Sequence, residues 1–241
     1  MPANFEVLLF VVALISGATA AVVGFGIGSM LTPLLAASVG MSTAVAAVTI
    51  PHAIATAVRC WRLRASIDRG VLLRFGLLSA AGGLLGALAY SRIGSAALTR
   101  VLGGLLLLTA AAQLTGWAER WRPQGALVSM LGLASGFFGG VAGNQGGLRS
   151  AALTSFRLSA AALVATGTAA GLMVDAARTP VYLWTSGPQV LALWRPLAIA
   201  TAGVLAGTFL GERILFGLTP SAFRRIMGAA IGALGVWLVT R

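Results

Sequence analysis

Charge is what this chain has least of. Asp, Glu, Lys and Arg make up 9% of its 241 residues, against roughly 25% in a soluble domain. Lysine is absent altogether, and all 17 basic residues are arginine. There are five acidic residues and a single histidine, and neither a His-Glu-x-x-His zinc motif nor a nucleophile, histidine and acid pattern can be traced. The lone cysteine, Cys60, excludes an intramolecular disulfide and fits no metal motif. These shortages argue against an enzyme and against a bound metal or cofactor. The net charge of +12 invites a nucleic-acid reading, but the arginines lie between hydrophobic stretches rather than on one basic face. No nucleic-acid partner is expected.

Apolar residues fill the chain instead, at 58%. They come in runs of about 17–25 residues, the length of a helix that crosses a bilayer. Alternation in ten-residue strands, the mark of a membrane β-barrel, does not appear. The reading is an all-α polytopic membrane protein, embedded in the cell (inner) membrane, with eight long helices near 5–23, 42–60, 70–91, 97–117, 125–141, 159–176, 193–211 and 221–239. Two shorter apolar pieces, 29–39 and 147–156, are too short to span alone. "GATAA" at 17–21 looks like a cleavage site, but the stretch before it carries Glu6 and no basic residue, so it is read as helix. Arg59, Arg62, Arg64 and Arg69 in one loop, and Arg120 and Arg122 in another, read as cytoplasmic topology signals.

The hydrophobic pattern repeats. An offset of 117 pairs Ser42 with Ser159, Thr49 with Thr166 and Gly70 with Gly187; an offset of 121 pairs Gly82, Gly86 and Arg92 with Gly203, Gly207 and Arg213. At 119, Gly24 and Gly28 fall on Gly143 and Gly147. Residues 1–117 and 125–241 thus read as two homologous halves joined by a linker at 118–124, "AERWRPQ". Each half runs long helix, glycine-rich break, short helix and three long helices. Arginine counting places the same number inside for either orientation of the second half. The expectation of an inverted repeat with both termini outside therefore rests on the paired breaks.

Those breaks are "GFGIGSMLTP" at 24–33 and "GNQGGLRS" at 143–150. Glycine lets the backbone leave helical geometry, and exposed amides at the start of a short helix attract anions. Gly82/Gly86 and Gly203/Gly207 read as close-packing pairs, but packing does not call for Asn144, Gln145 and Arg149. A charge at that depth is rare and points to a substrate path. A cation within the first turn of a helix is itself unfavourable, and an anion held between Arg149 and the amides would remove the conflict.

The first break is similar to the G-x-G-G-G-x-x-x-x-P pattern of the sulfite exporter TauE/SafE family of membrane permeases, through Gly24, Gly26, Gly28 and Pro33, with Ile27 at the middle glycine. The second resembles its G-x-x-G-x-x-G-G break through Gly140, Gly143, Gly146 and Gly147, with Ser150 near the place of a later proline. The resemblance covers essentially the whole chain. It implies secondary transport of a small sulfur-containing anion, sulfite or an organosulfonate; a channel or a carrier for another small anion is the alternative. The expected substrate site comprises Gly24, Gly26, Gly28, Ser29, Thr49, Gly143, Asn144, Gln145, Gly146, Gly147, Arg149 and Thr166. Thr49 and Thr166 could equally bond back to their own helices. His52, after Pro51, is a candidate for coupling, with packing as its plainer role. Asp175 and Arg178 read as a local pair at a membrane surface, and Glu119 and Glu212 as loop residues beside arginines.

Overall fold

The computed structural model describes residues 2–214 and 220–240, and no strand occurs among them. Arg241 lies outside the described residues, as do the side chains of Glu119, Glu212 and Arg213. The helices are α1 (Ala3–Val23), α2 (Ile27–Val39), α3 (Met41–Leu63), α4 (Arg69–Tyr90), α5 (Ser95–Thr115), α6 (Ala126–Ala142), α7 (Gly146–Leu153), α8 (Ala160–Ala192), α9 (Trp194–Ile214) and α10 (Pro220–Val239). Among the described residues, α1, α3 with its following turn, α4, α5 and α8 are long and apolar enough to cross a membrane. The protein is an all-helical integral membrane protein.

Most helices stand where the apolar runs lie, since a lipid-facing segment must satisfy its backbone internally. α8 differs. The run ends near residue 176, but the helix continues to Ala192, bending at Ser186, and carries Pro180 and Pro188. The polar stretch "DAART" is helical because its charged side chains find partners inside the protein. A surface position for Asp175 and Arg178 is thereby overturned: they are 0% and 1% exposed. Arg59 is likewise no loop residue. It lies inside α3 and is 3% exposed, whereas Arg62, Arg64 and Arg69 are exposed.

Helices from the earlier part of the chain pack on helices from the later part. α1 packs on α9 and α4 on α6; α3 packs on α8, and α5 on α10. Glycines make the closest approaches. A side chain on Gly82 or Gly86 would strike the carbonyls of Leu133 or Phe137, and one on Gly136 or Gly140 those of Ser79 or Gly83. On the other side, Gly203 and Gly207 meet the carbonyls of Phe10 and Leu14, and Gly17 that of Val204. Two small-residue seams of this kind hold helices at backbone contact without large side chains. They leave α3 and α8, with α2 and α7, as the middle of the molecule.

Candidate functional site

The two breaks meet at the centre. α1 ends at Gly24 (φ 82°, ψ 3°) and α6 at Gly143 (φ 71°, ψ 7°). Both adopt the left-handed conformation that glycine alone enters without a steric cost. Each amide caps its own helix at 3.0 Å, Gly24 to Ala20 O and Gly143 to Gly139 O. Gly28 lies so close to the Gly143 carbonyl that a Cβ would collide with it, so the backbones of the two breaks touch.

Gly26, Gly28 and Ser29 of the first break, Gly143 to Gly146 of the second, and Phe25, His52 and Arg149 enclose a cavity of about 10 Å³, room for about one water. Ser29 Oγ donates to Asn144 Oδ1 at 3.4 Å, and Ser135 Oγ donates to Gln145 O at 3.2 Å. Asn144 Nδ2, Gln145 Nε2 and Oε1, and Arg149 Nε and Nη1 are buried with no hydrogen-bond partner among the described residues. A buried polar atom without a partner costs about 1–3 kcal/mol, and here five of them belong to three residues of one break.

Buried arginines also close the carboxyl ends of the interrupted helices. Arg149, 3% exposed, extends from the first turn of α7 and donates from Nη2 to Gly24 O at 2.9 Å, the end of α1. Arg178 donates from Nη1 to Gly139 O, and the Tyr182 hydroxyl donates to Gly140 O, both at the end of α6. A cation at a helix carboxyl end meets the negative pole of the dipole. Part of what offsets the burial of Arg149 is therefore the α1 terminus rather than its own helix. Gly171 of α8 makes room for it, since a Cβ there would fall 2.6 Å from Nη1.

A polar chain runs from this point along α3 and α8. His52 Nδ1 is 2.7 Å from Asp175 Oδ2, and Arg178 donates from Nε and Nη2 to Asp175 Oδ1 at 3.1 and 2.8 Å. Thr56 Oγ1 lies 3.4 Å from His52 Nδ1 and accepts from Arg59 Nη2 at 3.3 Å. The Arg178 guanidinium stands 5.9 Å from the centre of the Tyr182 ring, within cation–π range. Among the described residues, three buried arginines, Arg59, Arg149 and Arg178, stand against one buried carboxylate, Asp175.

Of the expected residues, Gly26, Gly28, Ser29, Gly143, Asn144, Gln145, Gly146, Arg149 and His52 line the cavity together. Gly24 contributes its carbonyl through Arg149, and Gly147 packs on Thr109. The two threonines stand apart. Thr49 Oγ1 donates to Val45 O in its own helix at 3.2 Å, and Thr166 Oγ1 accepts from Asp68 N at 2.9 Å. Residue-by-residue reading missed Asp175, Arg178, Arg59, Thr56 and Phe25. One signal was available: His52, Thr56 and Arg59 follow the i, i+4, i+7 spacing of one helix face.

The sequence model of the family described as Sulfite exporter TauE/SafE matches residues 9–238. No curated protein and no solved structure matches the chain. With nearly the whole chain matched and both glycine-rich breaks at the centre of a helical membrane fold, this protein belongs to the sulfite exporter TauE/SafE family of membrane transporters.

Proposed function

We propose that the protein is a secondary transporter that carries a small sulfur oxyanion, sulfite or an organosulfonate, across the cytoplasmic membrane and binds it where the two breaks meet. The observation that carries this reading is the set of unpartnered donors of Asn144, Gln145 and Arg149 around the cavity. An oxyanion accepts from such donors and balances part of the excess buried cation charge. A guanidinium suits delocalised negative charge on several oxygens better than an ammonium does.

The cavity is too small for the anion, so the site is closed and the breaks must separate to admit it. Reciprocal packing of the halves and matched glycine caps at Gly24 and Gly143 support an inverted repeat, eight long crossings, both termini outside and alternating access around a central site. A closed site favours a carrier over a channel. His52 lines the cavity and pairs with Asp175, which suits it to couple proton movement to the anion. The charged groups around it are Asp175 and Arg178 on α8, Arg59 on α3 and Arg149 on α7. Purified protein in vesicles should take up radiolabelled sulfite saturably, with competition by small sulfonates. Cation flux with no dependence on the anion would overturn the assignment. Uptake of His52→Gln that keeps the wild-type response to a pH gradient would remove the coupling role.

A further inference from the structure

We infer that Arg59 forms a second anion-binding position, in series with the cavity and nearer the arginine-rich end of α3. The inference rests on the reading of the cavity as an oxyanion site and extends it into a path. Arg59 shares a helix end with Arg62 and Arg64, yet it behaves unlike them. Arg62 donates to Thr208 O and lies over the Phe209 ring, and Arg64 donates to Trp61 O and stacks on the Trp61 ring. Both are exposed.

Arg59 is 3% exposed. It spends one N–H on Thr56, while Nε and Nη1 have no hydrogen-bond partner among the described residues. No carboxylate pairs with it there: Asp175 is held by His52 and Arg178. A topology signal has no need of such burial, since an arginine that only orients a loop keeps its head in water or among lipid headgroups.

Its placement gives the unpartnered cation a use. Seven residues of helix separate it from His52 at the cavity wall, about 10 Å along α3. His52 and Thr56 connect the two places by consecutive side-chain contacts. Arg59 repels Arg149 and is attracted by Asp175, so the two cations share one field. An oxyanion leaving Arg149 as the breaks part on that side meets Arg59 next. The ligand class is the same at both positions, a small oxyanion able to accept several N–H groups. Arg59 belongs to the same path as the cavity but does not line it.

The test compares Arg59→Gln with Arg149→Gln in purified protein, measuring equilibrium sulfite binding and vesicle flux. For Arg59→Gln, loss of a charged hydrogen-bonding partner should cut flux by roughly tenfold or more, with equilibrium binding at the Arg149 position within about threefold of wild type. Arg149→Gln should lose binding itself. Wild-type flux in Arg59→Gln alongside a dead Arg149→Gln overturns the second position and leaves the cavity reading intact. Normal transport in Arg149→Gln sinks the cavity reading first. If Arg59→Gln does not fold, Arg59→Lys keeps the charge without the planar donors. Its KM for sulfite should rise several-fold, and an unchanged KM would count against the inference.

Discussion

The two breaks are built on one backbone plan and equipped differently. Gly24 and Gly143 end α1 and α6 with matching left-handed caps. After the first cap the chain offers glycines, Phe25, Ile27 and Ser29; after the second it offers Asn144, Gln145 and Arg149. One break therefore brings backbone and a surface to close against, and the other brings the donors. The arginines cross over in the same sense. Arg149 of the second half caps the α1 end of the first, while the α6 end is capped by Arg178 from its own half. The matched caps give the two breaks a common frame, and the polar side chains stand on the second.

The largest effect expected from breaking that asymmetry is at Arg149. Arg149→Gln removes the cation from the cavity and from the α1 terminus, and sulfite transport should fall on the order of a thousandfold, about 4 kcal/mol. Folding should survive, because a neutral amide is less costly to bury than a guanidinium. Flux assays on well-expressed protein decide this, and transport at wild-type levels would leave Arg149 as an anchor only.

Next comes Asp175, the carboxylate that holds both His52 and Arg178. Asp175→Asn leaves the Arg178 cation buried without its counter-charge, which costs about 3 kcal/mol or more. The thermal transition in detergent should drop clearly. A double-mutant cycle with Arg178→Met should recover part of the loss, since removing both partners leaves no cation stranded by the missing carboxylate. Additive losses would show that the pair is not the unit described.

How much of this could be read from residues alone differs by feature. The breaks were legible because glycine clusters and polar residues interrupt otherwise unbroken apolar runs. Arg149 stood out for the same reason. Asp175, Arg178 and Arg59 were not, because a hydropathy pattern treats a charge near the end of a run as the end of the helix. Only tertiary partners reveal it as interior. The extension of α8 to Ala192 follows from that burial: once Arg178 can reach Gly139 O and Asp175, helix is the favourable state for a stretch of modest propensity. Thr49 and Thr166 were chosen on repeat spacing, which locates equivalent backbone but says nothing of what each hydroxyl touches.

A smaller effect tests whether the two caps are equivalent. Ala in place of Gly24 would bring its Cβ only to ordinary contact with Val164 at 3.8 Å, and in place of Gly143 with Thr32 at 3.5 Å. Space is available at both, so the cost is the backbone conformation alone, about 1–2 kcal/mol each. Equal losses of thermal stability are expected. Gly28→Ala is the contrasting control, since its Cβ would push the Gly143 carbonyl away and part the breaks. It should impair transport more than either cap.

The smallest effect separates two threonines that sit 117 positions apart, on α3 and α8. Thr166 Oγ1 accepts the Asp68 amide at 2.9 Å, at the start of α4, where Asp68 Oδ1 in turn accepts from Val71 N. Thr166→Val keeps the shape and strands a part-buried N–H, which should cost about 1 kcal/mol. Thr49 Oγ1 only bonds back to Val45 O in its own helix, a carbonyl that helical geometry already satisfies. Thr49→Val should therefore change stability by less than about 0.5 kcal/mol. Neither hydroxyl lies on the cavity wall, so sulfite KM should be unchanged in both variants. A several-fold KM shift in Thr49→Val alone would return that residue to the substrate path and extend the site along α3, on the face shared with His52.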